Sequence, residues 1–144
     1  TRLQVPPSPG NIEVIAGDWN SPLLSDQEIR SLIQGARFVV LPLRQTIQPS
    51  GQSVCLQAMA CGKAVILSDI NGLWDRDVMV DGATCLLVPP GSIEGLQTAV
   101  QRLLGDPRRS QDIGIRARTA VENNLNLDIM ASAMERRLDG LLNQ

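Results

Sequence analysis

A parallel α/β sheet flanked by helices, followed by a helical last third, is the fold that this sequence of 144 residues predicts. Three observations carry the expectation. The short apolar runs Phe38–Leu41, Ala64–Leu67 and Thr84–Val88 lack an alternating polar face, as strands covered on both sides do. Capped helical segments alternate with them, which is the order of strand–helix–strand units in a parallel sheet. After Pro89-Pro90-Gly91 the apolar spacing becomes helical and stays so.

Each element has its own signal. Residues 1–10 are proline-rich and read as a loosely ordered tail, leaving 11–144 as one domain. Asn11–Ala16 alternates and is β-branched, which predicts a short strand, and Gly17–Leu24 reads as a loop. Ser25 with Glu28 has capping-box spacing and opens a helix to about Gly35, with Ile29, Leu32 and Ile33 inward. A second helix is expected over about Gln52–Cys61, with Val54, Ala58 and Met59 in the core and Gly62 ending it. Ile70–Asp81 is a connection with a short helical turn. Ser92 caps a helix bearing Ile93, Leu96, Val100, Leu103 and Leu104 at helical spacing. Gly105-Asp106-Pro107 stops it and starts the next, to about Asn123. Asn126 caps the last helix, whose inward face would be Ile129, Met130, Ala133, Met134, Leu138 and Leu141.

Composition narrows the function. A net charge of −2 and the lack of any basic stripe give no electrostatic footprint for nucleic acid. The apolar runs are too short to span a membrane, and the first residues lack a secretory pattern. Cys55, Cys61 and Cys85 are odd in number and lack CxxC spacing, so they read as buried, reduced thiols of a cytoplasmic protein. The sequence contains no histidine, which removes Ser-His-Asp hydrolysis and imidazole proton transfer.

The stretch Pro49–Ile66 carries the chemistry. A polar, glycine-containing loop runs directly into a helix and then a strand. In a parallel sheet that loop lies at the carboxyl edge, where the first helical amides are unpaired and the dipole is positive. Ser50, Gly51, Gln52 and Ser53 are therefore candidate contacts for a phosphate. Ser53 is equally a candidate cap of its own helix.

Leu56-Gln57-Ala58-Met59-Ala60-Cys61-Gly62-Lys63-Ala64-Val65-Ile66 closely resembles a signature of the GT-B fold glycosyltransferases of group 1, or family 4. The likeness extends through Gly72, Asp81-Gly82, Leu87–Gly91 and Asp106-Pro107, covering about residues 11–142. It implies the Rossmann-like carboxyl-terminal half of a two-domain enzyme. That half binds a nucleotide-sugar donor, works without a metal or further cofactor, and retains the anomeric configuration. The amino-terminal acceptor domain and two strand–helix units with a basic diphosphate clamp would lie outside this sequence. The resemblance also implies a cytoplasmic protein, peripheral at the inner membrane face in the full enzyme. The strand edge that the absent units would cover is expected at Phe38–Leu41, as a place for pairing with Asn11–Ala16 or for homodimerisation.

In that alignment the family's Glu-x7-Glu pair falls on Pro49 and Gln57. Gln57 stands where a carboxylate accepts hydrogen bonds from ribose, and its amide oxygen accepts without charge. Pro49 has no side-chain acceptor; realignment would move its role to Gln48, Ser50 or Gln52. Gly17 and Asp18 would lie near the base, although a plain turn accounts for them equally well. Asp69, Asn71 and Gly72 would face the donor sugar, and Asx-Gly is also a turn signal. Lys63 is a candidate to approach the phosphates, and the reading favoured for it is a favourable helix end through the dipole.

Overall fold

In the computed structural model, described for residues 10–15 and 24–142, a three-stranded parallel sheet forms the centre. Its strands are β1 (Phe38–Leu41), β2 (Ala64–Ser68) and β3 (Leu86–Val88), in that spatial order. Phe38 pairs with Ala64, and Ile66 pairs with Leu86. The helices are α1 (Asp26–Gly35), α2 (Gln52–Ala60), α3 (Ile93–Gly105), α4 (Pro107–Asn124) and α5 (Leu127–Leu142).

β2 is the centre of the protein. All five of its residues are buried, and their alternation divides the core into two layers. Val65 and Leu67 face Cys55, Ala58 and Met59 of α2 together with Ala117 and Val121 of α4. Ala64 and Ile66 face the other way, toward Ala99 and Leu103 of α3 and Ile113 of α4. α4 thus contributes to both layers, passing the amino edge of the sheet between Ile113 and Ala117. Gly114 makes this crossing possible, because a Cβ there would lie 2.8 Å from the carbonyl carbon of Gly62. Gly62 itself is left-handed (φ 70°) and closes α2. The Lys63 N–H donates to Ala58 O at 3.0 Å and the Gly62 N–H to Met59 O at 2.8 Å, a Schellman ending.

Local signals place most boundaries. Ser25 and Glu28 form both bonds of the capping box. Ser92 Oγ accepts from the Gly95 N–H at 3.0 Å, and Asn126 Oδ1 accepts from the Ile129 N–H at 2.9 Å. Asp106 ends α3 and caps α4, accepting from the Arg109 N–H at 2.9 Å. The expected turn within Ile70–Asp81 is one helical turn, closed by the Met79 N–H on Asp75 O at 2.9 Å.

Several expectations are corrected. Asn11–Ile15 forms no strand and is exposed, while Ala16 lies outside the described residues. A strand needs a ladder, and no described strand lies against this segment. The free edge of β1 is not paired by it, and Phe38–Leu41 is only half-buried. β3 is shorter than Thr84–Val88, because Cys85 makes only an isolated bridge to Asp81. Leu32, Val54, Ile93 and Leu104 are exposed, each rotated off the buried stripe of its helix. α5 buries no residue, so its expected inward face (Ile129, Met130, Met134, Leu138 and Leu141) is open to solvent.

Candidate functional site

All three strands point their carboxyl ends at one edge, where the loops after them meet. The loop after β1 is tied to the end of β2 by the Leu43 N–H, which donates to Ser68 Oγ at 2.9 Å. Ser68 is buried, one of only two polar side chains so placed among the described residues. Further along, the Gly72 N–H donates to Thr46 O at 2.8 Å. A Cβ on Gly72 would lie 2.6 Å from the carbonyl carbons of Ile47 and Gln48, so only glycine allows this approach. The structure therefore brings Ser50–Ser53 and Asp69–Gly72 to neighbouring loops.

Gly51 is the N-cap of α2 and holds φ 77° without offering a side-chain cap. The turn before it is closed by Ser50 N–H to Gln48 O at 2.7 Å and Gln52 N–H to Pro49 O at 3.4 Å. The Ser53 and Val54 N–H groups have no hydrogen-bond partner among the described residues. Ser53 does not cap the helix, and its exposed side chain stands beside those amides. Two free donors at the positive end of a helix dipole can hold an anion.

Asp69 lies on the same edge, where its N–H donates to Val88 O at 2.8 Å. Its carboxylate pairs with Arg76 at 2.9 Å, and Arg76 also donates to Ile70 O at 3.1 Å. Asn71 is exposed on the same turn. Gly17 and Asp18 lie outside the described residues. Gln57 stands apart from the carboxyl-edge loops. It lines a groove of about 240 Å³ between α1 and α2, with Asp26, Arg30 and Cys61.

Sequence reasoning passed over Arg44. It lines a cleft of about 160 Å³ at the carboxyl edge, with Ser68, Gly91 and Ser92. No ion pair holds it among the described residues. The signal was a single cation directly after the strand and Pro42-Leu43, but only the nearness of β1 and β3 gives it meaning.

The comparisons match this arrangement. The family model described as Glycosyl transferases group 1 matches residues 17–106. The alpha-maltose-1-phosphate synthase of Mycolicibacterium smegmatis is 34% identical over 106 residues, 69% of this chain and 26% of that protein. A glycogen synthase of Mycobacterium tuberculosis is 30% identical over 110 residues, covering 76% of this chain and 25% of that protein. The chain thus spans about a quarter of the length of these relatives. Among solved structures, sucrose-phosphate synthase from Thermosynechococcus elongatus superposes with a TM-score of 0.69 at 32% identity. That match covers 83% of this chain and 29% of the synthase. Anabaena HepE, solved in complex with UDP-glucose, shares the fold with a TM-score of 0.66 at 19% identity, over 78% of this chain and 30% of its own. With the strand–loop–helix edge in place and more than half of its length inside the family match, the chain belongs to the group 1 glycosyl transferases with the GT-B fold.

Proposed function

We propose that this chain is the donor-binding domain of a retaining transferase that moves a sugar from a nucleoside diphosphate sugar to an acceptor. The observation that carries the reading is the pair of free amides at Ser53 and Val54 behind the left-handed Gly51, at the carboxyl edge of a parallel sheet. Sugar transfer asks for stabilisation of a leaving diphosphate and an oxocarbenium-like sugar, a task of positioning and electrostatics. The amides of α2 and the guanidinium of Arg44 meet the diphosphate. Ser50, Gln52 and Ser53 orient it, and Asp69, Asn71 and Gly72 face the sugar. Gly17 and Asp18 serve the base. The site works without a metal ion.

The acceptor site belongs to a separate amino-terminal domain, so the 144-residue chain alone turns over negligibly. Among the described residues no helix is long and apolar enough to cross a membrane. We assign the full enzyme to the cytoplasm, peripheral at the inner membrane face, from the family resemblance alone. Calorimetric titration with UDP, GDP and ADP, and with their sugar conjugates, tests the site. One nucleoside diphosphate binds at micromolar or tighter affinity, and Arg44→Gln weakens it about tenfold, the loss of one charge-assisted hydrogen bond. Failure of all of them to bind overturns the reading.

The absence of a carboxylate at Pro49 and Gln57 favours a second reading, a non-catalytic assembly module built on the same fold. Its partner would be a second copy paired along the free edge of β1. A dimer in sedimentation that binds no nucleotide selects this reading over the first.

A further inference from the structure

The opposite pole of the sheet carries a second polar cavity. The register that pairs Phe38 with Ala64 places Arg37 and Lys63 side by side, one residue before the ladder begins. Both line a cavity of about 410 Å³ closed by the start of α4, where Ser110 and Gln111 complete its polar wall. Leu103 and Ile115 supply apolar walls. Neither cation has an ion-pair partner among the described residues. Two adjacent like charges repel each other, and an anion set between them relieves that.

Ser110 is the second observation. The residue is 9% exposed, and its hydroxyl makes no hydrogen bond to a described residue. The hydroxyl oxygen itself is not sealed from water: among the described residues the enclosed, unpartnered side-chain atoms are Trp74 Nε1 and Arg109 Nε. Ser31 and Thr119 bond back to the carbonyl four residues earlier, and Ser110 does not. Its hydroxyl therefore remains available to the cavity that it lines. The nearest acid in sequence, Asp112, does not line the cavity, and neither does Asp106, which accepts from the Arg109 N–H.

We infer that Arg37, Lys63, Ser110 and Gln111 form a binding site for a small phosphate-bearing molecule at the amino edge of the sheet. The two cations neutralise the phosphate, and Ser110 and Gln111 donate to its oxygens. The walls of Leu103 and Ile115 leave room for a short carbon skeleton, so a phosphate monoester fits the site. The site is separate from the donor edge: Arg37 and Lys63 stand just before β1 and β2, whereas Gly51 lies in the loop after β1 and Ser68 ends β2.

Amide-resolved NMR of the 144-residue chain decides it, with inorganic phosphate and glycerol 3-phosphate titrated at constant ionic strength against chloride. The expected result is saturable shifts at Gly62, Lys63, Ser110 and Gln111 in the millimolar range or tighter, with glycerol 3-phosphate the tighter ligand. In the Arg37→Gln/Lys63→Gln double variant, these shifts weaken at least tenfold. Ser110→Ala, which keeps the helix and removes the hydroxyl, weakens them severalfold with an unchanged melting temperature. Shifts confined to residues 50–54, an undiminished response in the double variant, or an affinity unaffected in Ser110→Ala would each overturn the assignment.

Discussion

α4 and α5 are consecutive helices of 18 and 16 residues, and the more polar of the two is the one that holds the protein together. α4 carries Arg108, Arg109, Asp112, Arg116, Arg118 and Glu122, yet it buries Ser110, Ile113, Gly114, Ala117 and Val121. α5 is richer in Ile, Leu and Met and buries nothing. The difference lies in their neighbours. α4 meets both layers of the core and the Gly62 turn, whereas Met134 and Leu138 meet water. An apolar stripe makes a helix able to pack; a facing surface makes it packed.

Gly114→Val breaks the comparison most severely. The added side chain meets the Gly62 carbonyl and the Ala64 nitrogen, which are backbone and cannot rotate aside. Overpacking of this kind costs about 3 kcal/mol, a fall of roughly 10 °C in melting temperature for a chain of this size. Calorimetry checks it; a variant melting within a degree of the parent would mean that α4 does not cross at Gly62. Next comes the pair Ile113→Ala and Met134→Ala. Ile113 is fully buried, so its truncation costs about 2–5 kcal/mol. Met134 is 57% exposed, and its loss stays within about 0.5 kcal/mol. Equal effects in denaturant unfolding would erase the distinction between the two helices.

The sequence shows what is local and hides what is contributed across the fold. Ser25, Ser92, Asp106 and Asn126 act on amides within three residues, so their caps are legible and each forms. The turn at Pro49–Gly51 is legible for the same reason. The packing roles of Gly72 and Gly114 are not, because each glycine is required by a backbone distant in sequence. Likewise Ile12, Val14 and Ile15 have strand composition but no strand to pair with. The apolar face of α5 has the spacing of an inward face, and spacing cannot supply a partner. At the candidate site, the separation of Gln57 from the carboxyl-edge loops and the placement of Arg44 in the cleft depend on which elements are adjacent.

The caps sharpen the comparison at smaller cost. Asp106→Ala loosens the start of α4 and with it both core layers, for about 1 kcal/mol of global stability. Asn126→Ala loosens the start of α5 and frees the Glu122 carbonyl in the last, exposed turn of α4. It leaves the main melting transition in place and shows itself as faster hydrogen exchange at residues 127–130. A global loss from Asn126→Ala would mean that α5 is packed after all.

The thiols require no mutation. Cys55 and Cys85 are fully buried in the layer that α4 closes, and burial pushes both up to about 12 from an ordinary 9.0. Both stay protonated and out of reach at pH 8, whereas Cys61, at the end of α2, is half-exposed. A disulfide reagent at pH 8 should therefore modify one thiol rapidly in the folded chain and all three in denaturant. The sign of the pH effect follows from the same burial. The folded state holds these protons more tightly than the unfolded chain, so their contribution is complete below about pH 9 and is lost as pH rises toward 12. Rapid modification of Cys55 in the native chain would show that the layer between α2 and α4 opens. The Gly114 crossing then could not be the clasp that separates the behaviour of α4 from that of α5.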